Sequence, residues 1–275
     1  MTYQTLNLRR EGPILHVDFN NPPLNLMTIQ MVGELFDLAG SLMSDQETRV
    51  VVFGSANPEF FVAHFDLNDI LRSVSDPTVP QSRYEDINVL QAITTMWQMV
   101  PQVTIGVVDG ICRGGGLEFL LATKMRFTTP ESRFGLPEAS SGILPAGAGT
   151  TRLVMQIGLA RAREMILSSR DFTGEEAAAY GIVNRALPRS ELKTYVETLA
   201  RNVAKRSLSV VTALDNVIKD VCDSLVDAQF AGFASENAAL KSLLANPSVT
   251  DALQKFAALQ DREHELDLPA TIGVG

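Results

Sequence analysis

Arg113-Gly114-Gly115-Gly116-Leu117-Glu118, followed downstream by Phe134-Gly135-Leu136-Pro137-Glu138, decides how this chain reads. Glycines let a backbone approach a ligand closely, and a helix start presents N–H groups that have no partner within the helix. The triple glycine therefore reads either as a cradle for a negative oxygen or as a tight strand-to-helix turn. Each run ends in a glutamate. Two carboxyls facing one cavity can divide acid and base work once their surroundings separate their pKa values. The alternatives are ordinary: Glu118 as a carboxylate favoured by the helix dipole, Glu138 as a solvated loop residue. Neither GxGxxG nor GxxxxGK[ST] fits. No lysine follows these glycines or those of Gly147-Ala148-Gly149-Thr150-Thr151, which argues against a phosphate-cradling loop.

Upstream, Leu6–Asn20 reads as a hairpin turning at Glu11-Gly12-Pro13 and stopped by Asn21-Pro22-Pro23. Thr28 is placed to cap a helix with apolar spacing Met31, Leu35, Leu38, Ala39 and Leu42. Arg49–Gly54 and Val103–Val108 are short apolar runs suited to strands covered on both faces. Leu117–Met125 reads as a helix and Met125–Thr129 as a strand. Strand and helix signals alternate to Leu187, which predicts an α/β fold with crossover connections. From Glu191 to Leu259 only Gly232 interrupts an amphipathic helical texture, with stops near Ser207 and Asn246-Pro247. The organisation expected is residues 1–190 as one core and 191–275 as a helical region. Ser73–Glu85 reads as a mobile loop.

The bulk numbers narrow the function. The chain has 275 residues, 45% hydrophobic and 20% charged, as in a soluble globular protein. A net charge of −9 argues against nucleic acid or an anionic membrane as partner. Cys112 and Cys222 lie far apart and read as small buried side chains, compatible with a reducing compartment. Met1–Arg10 lacks the apolar core of a secretion signal, so a cytoplasmic location is expected. Ile87–Val108 carries no charge, but its Asn, Gln, Thr and Pro residues favour a buried helix and strand over a membrane span. His16, His64 and His264 make no metal-ligand spacing, and there is no GxSxG elbow.

Ala63-His64-Phe65-Asp66-Leu67 precedes the two glycine-glutamate segments, and Pro145-Ala146-Gly147-Ala148-Gly149-Thr150-Thr151-Arg152-Leu153 follows them. In this order the set resembles the crotonase family, which includes the enoyl-CoA hydratases and isomerases, over Tyr3–Leu187. The resemblance implies a ββα spiral core with an acyl-CoA site, then C-terminal helices that assemble trimers or hexamers. It implies that the backbone N–H groups of Phe65 and Gly115 hold an enolate oxygen, that Glu118 orients and activates water, and that Glu138 handles the α-carbon proton. Ala63, His64, Asp66, Leu67, Gly114, Pro137 and Gly142 would line the substrate. Coenzyme A enters as part of the substrate, with no separate cofactor and no metal. Two glutamates favour hydration of a trans-2-enoyl-CoA. A double-bond isomerase, a hydratase-lyase and a non-catalytic acyl-CoA-binding homologue are the alternatives.

Departures from the family pattern are also visible. His64 stands where the family usually has glycine, either contacting the ligand or packed and hydrogen-bonded. Phe65 is bulkier than usual. The basic residue often found shortly after the equivalent of Asp66 is absent, and the C-terminal basic cluster is thinned to Lys255 and Arg262. Arg72, Arg113 or Lys255 would then hold the coenzyme A phosphates, or coenzyme A binds more weakly.

Overall fold

A computed structural model of the chain describes residues 3–76, 86–221 and 223–273. The Ser73–Glu85 segment is therefore described only to Asp76, and Cys222 also lies outside the described residues.

The chain opens with β1 (Leu6–Glu11) and β2 (Ile14–Phe19), an antiparallel hairpin whose register pairs Glu11 with Ile14. Gly12, at φ +55°, allows the tight turn. Helix α1 (Ile29–Leu42) follows, with the Thr28 hydroxyl accepting from the Met31 N–H. The chain then alternates between two sheets. β3 (Val50–Ser55) joins the first and β4 (Phe60–Val62) the second. α2 (Leu67–Ser75) and α3 (Val89–Met99) lead back to β5 (Val103–Val108), and β6 (Ile111–Arg113) returns to the second sheet. The pattern repeats with α4 (Gly115–Leu120), β7 (Met125–Thr128) and β8 (Arg133–Gly135). A 3₁₀ turn (Pro137–Ser141) then leads to α5 (Gly149–Ile157), α6 (Leu159–Ser168), β9 (Phe172–Thr173), α7 (Gly174–Tyr180) and β10 (Arg185–Ala186). The first sheet has the order β1-β2-β3-β5-β7-β10, the second β4-β6-β8-β9. Beyond the opening hairpin the first sheet is parallel. This is the expected α/β spiral. β3 and β5 are buried almost throughout, as their apolar runs require.

Helix α4 is shorter than its sequence suggested. It ends at Leu120 because the Thr123 N–H and hydroxyl both take the Leu120 carbonyl, tightening the last turn and freeing Met125 to enter β7. The core between the sheets and the helices is built on rings. Phe53 meets Trp97 and Phe119 edge-on, and Phe19 meets Phe61 and Phe119 likewise.

After Pro188 the elements are α8 (Arg189–Ala204), α9 (Leu208–Val221), α10 (Asp223–Leu244), α11 (Pro247–Ala257), α12 (Arg262–Leu266) and α13 (Leu268–Thr271). The gaps at Ser207 and Asn246 fall where the sequence placed its stops. α8 covers β2, β3 and β7 through Leu192, Val196 and Ala200. α11 packs on α2 and the 3₁₀ turn. On α9, Val210, Leu214, Val217 and Ile218 are each more than half exposed and fall on one helical face. No helix among the described residues is long and apolar enough to cross a membrane.

The glycines at the start of α4 set how close that helix comes to β4. A Cβ at Gly116 would lie 2.6 Å from the Val62 Cβ and 2.8 Å from the Val62 carbonyl oxygen. Backbone cannot yield as a side-chain tip can, so Gly116→Ala should destabilise the fold by about 1–3 kcal/mol. Urea unfolding followed by circular dichroism measures this, and an unchanged midpoint contradicts the close approach.

Candidate active site

The parallel bridge between Met27 and Phe65 sets the first half of the site. The Met27 N–H donates to the His64 carbonyl, and the Met27 carbonyl accepts from the Asp66 N–H, both at 2.9 Å. In a parallel ladder the residue between those two bonds turns its own N–H the other way. Phe65 is that residue. The Asp66 side chain then caps α2 through the Asn68 N–H.

The second half comes from β6. After Arg113 the chain turns at Gly114, φ +46°, a conformation that favours glycine, with its N–H on the Gly135 carbonyl. Gly115 begins α4, so its N–H has no intrahelical acceptor. A Cβ at Gly115 would lie 3.3 Å from the Phe65 nitrogen. The two backbone groups are thus neighbours, and neither N–H finds an acceptor among the described residues. They border a cavity of about 130 Å³ that Glu118, Glu138, Leu90, Ile143 and Gly147 also line.

Glu118 is 3% exposed, and its Oε1 accepts the N–H groups of Gly147 (2.7 Å) and Gly149 (2.8 Å) at the start of α5. Burial, then the neighbouring carboxyls of Glu138 and Glu236, push its pKa well above the usual carboxylate range, and the two N–H donors oppose them. Glu138 rises from the first turn of the 3₁₀ segment. Its Oε2 is buried without a hydrogen-bond partner among the described residues. Burial pushes its pKa up to about 7, against the pull of the nearby His64. One carboxyl therefore has donors that suit an anion, while the other has an oxygen that suits a proton.

The residues singled out in sequence divide between this cavity and its surroundings. His64, Leu67 and Pro137 line an adjoining apolar cavity of about 60 Å³, which shares Phe65, Ile70, Glu138 and Ile143 with the first. Gly114 lies behind Glu138, where a Cβ would come within 2.9 Å of its Oε1. Ala63 instead packs into a core cluster with Leu24, Phe60 and Ile111. Gly142, at φ +79°, closes the 3₁₀ segment against Val249.

His64 is packed and hydrogen-bonded. Its Nδ1 donates to the Phe65 carbonyl at 2.7 Å, and its Nε2 faces the Glu265 carboxylate at 2.8 Å. Burial disfavours the imidazolium, but Glu265 outweighs it and raises the pKa. Arg113 cannot reach a phosphate. It is 1% exposed and forks onto Asp171 with two 2.7 Å bonds. Arg72 pairs with Asp69 and Asp76, and Arg262 with Glu59; Lys255 lies exposed on α11.

Sequence reasoning missed Glu236 and Glu265. Glu236, on α10, accepts from the Ala148 and Thr151 N–H groups and fixes the α5 start that holds Glu118. Both carboxylates come from helices far along the chain, and no local motif marks either.

The chain matches the family model described as "Enoyl-CoA hydratase/isomerase" over residues 9–265. It is 28% identical over 224 residues to carnitinyl-CoA dehydratase of Salmonella arizonae, covering 82% of this chain and 84% of that one. A solved structure from Streptomyces avermitilis, provisionally described as an enoyl-CoA hydratase, superposes with a TM-score of 0.89 at 35% identity and covers 99% of both chains. Enoyl-CoA hydratase of Bacillus anthracis shares the fold, with a TM-score of 0.71 at 24% identity over 85% of this chain and 90% of that one.

Glu118, Glu138, Glu236 and His64 all have raised pKa values. Each holds its proton to higher pH in the folded chain than in the unfolded chain, so together they make stability fall as pH rises from about 5 to about 8. Glu138→Gln removes one such group and should shrink that loss. Urea unfolding at both pH values measures it, and an undiminished loss contradicts the raised pKa of Glu138.

Proposed function

The chain belongs to the enoyl-CoA hydratase/isomerase family of crotonase-fold enzymes, and on that premise we propose that it adds water to a trans-2-enoyl-CoA. The observation that carries this reading is the pair of differently supported carboxyls, Glu118 and Glu138, on the wall of a cavity that also holds two unclaimed N–H groups.

The thioester oxygen would sit between the Phe65 and Gly115 N–H groups. Glu118 in its ionised form, which the Gly147 and Gly149 N–H groups favour, takes a proton from water as the water oxygen bonds to the β-carbon. The pair of the carbon–carbon double bond shifts to join the α-carbon to the carbonyl carbon, and the carbonyl π pair moves onto the thioester oxygen, forming an enolate that the two donors stabilise. The enolate collapses by taking the proton of Glu138 at its α-carbon. Glu118 then carries a proton and Glu138 a charge, and proton exchange through water resets the pair. Each preorganised donor to such an oxygen contributes on the order of 3 kcal/mol in comparable sites. The same residues in reverse would remove water from a 3-hydroxyacyl thioester. Coenzyme A takes part only as the substrate's carrier. The adjoining apolar cavity, lined in part by Leu268 and Ile272, would take the acyl group.

Glu118→Gln and Glu138→Gln should each slow hydration of crotonyl-CoA by about 10²–10⁴-fold while the fold is kept. Loss of enoyl absorbance measures the rate, and unchanged turnover in both variants ends the two-glutamate mechanism. Product analysis separates the alternatives: conversion of 3-enoyl to 2-enoyl thioester without hydration identifies an isomerase, and binding without turnover a non-catalytic homologue.

We also propose self-association through the C-terminal helices, supported by the exposed apolar face of α9. Light scattering should give a trimer or hexamer for the native chain and smaller species for Val217→Asp. A native monomer rules this out.

A further inference from the structure

The two loops that carry the unclaimed N–H groups share one partner from the far end of the chain. His64 directly precedes Phe65, and its Nδ1 donates to the Phe65 carbonyl. Arg113 ends β6, next to Gly114 and Gly115. Glu265, on α12 and 2% exposed, meets both: its Oε1 lies 2.8 Å from His64 Nε2, and its carbonyl accepts from Arg113 Nη1 at 2.8 Å. Its Oε2 is a further 3.5 Å from the same guanidinium nitrogen. The other backbone bonds at the two loops run elsewhere, to Met27 from the first and to Gly135 from the second.

We propose that Glu265 is a positioning residue that, by holding His64 and Arg113 together, fixes the spacing of the Phe65 and Gly115 N–H groups that receive the thioester oxygen. This rests on the function proposed above.

The chemistry of each contact supports it. A carbonyl only accepts, so His64 Nδ1 carries a hydrogen. Nε2 faces the Glu265 carboxyl, which favours the charged form of the imidazole and raises its pKa despite burial. Arg113, anchored on Asp171, supplies the second cation. Glu265 thus lies between His64, one residue before the first donor, and Arg113, two residues before the second. Such a bridge is rigid because releasing either side strands a buried charge. A donor displaced by about 1 Å loses most of its worth to a forming enolate, whereas ground-state binding along the rest of the substrate barely depends on it.

The test uses the full-length chain with crotonyl-CoA for turnover and acetoacetyl-CoA as a probe whose enolate absorbs in the near ultraviolet when bound. Glu265→Ala should lower kcat by roughly 10–100-fold with KM within about threefold of wild type, and should lower the bound enolate band. Glu265→Gln, which keeps one hydrogen bond to His64, should recover part of both. If Glu265→Ala does not fold, the double variant His64→Gln/Glu265→Gln, which strands no histidine charge, carries the same expectation. Folded variants with wild-type kcat and a wild-type enolate band overturn the proposal, as does a loss confined to KM. A wild-type chain that ionises acetoacetyl-CoA but hydrates no enoyl thioester sinks the hydratase reading alone, and the enolate band still decides the role of Glu265. A wild-type chain that does neither overturns both.

Discussion

The start of α4 lies against the end of β4 at a separation that only glycine permits. At Gly116 a methyl group would run into Val62, and at Gly115 it would fill the space beside the Phe65 nitrogen. This close approach brings side by side two backbone N–H groups, one from the segment after β4 and one from the start of α4. It also aims the next turn of α4 so that Glu118 meets the start of α5. The sheets, the crossover helices and the aromatic core under Trp97 hold these few peptide groups in place. Because the donors are main chain, their positions depend on packing and not on side-chain identity.

The electrostatics follow from where the spiral puts its acids. The carboxyls of Glu138 and Glu236 lie close enough to Glu118 to raise its charging cost. An apolar site could not hold all three ionised. Backbone donors resolve the conflict unevenly: α5 offers its first N–H groups to Glu118 and Glu236 and none to Glu138. That asymmetry gives two chemically identical side chains different hydrogen-bonding surroundings, as a division of acid and base work requires.

Much of this was legible in the sequence. Gly114-Gly115-Gly116 and the two glutamates stood out in the sequence, although the glycines alone also fitted a tight strand-to-helix turn. The apolar runs Arg49–Gly54 and Val103–Val108 read as covered strands, and the structure places β3 and β5 there. What stayed hidden was set by contacts across long separations. Arg113 looked like a free cation, and nothing near it in the chain announced Asp171 or Glu265 as its partners. His64 was read as packed or ligand-facing, and only the fold supplies the carboxylate that makes it packed. The end of α4 was misjudged because Leu121 and Ala122 are good helix formers, yet Thr123 claims the Leu120 carbonyl.

The His64–Glu265 contact joins residues 201 positions apart. During synthesis both sheets can assemble while α12 is still inside the ribosome, because the pairings of β1 to β10 need nothing beyond Ala186. Compactness and competence therefore arise at different times. A chain stopped short of Glu265 could still pair its strands, yet would hold its two N–H donors without their common tie. Only completion of the last helices joins the two donor loops to one partner.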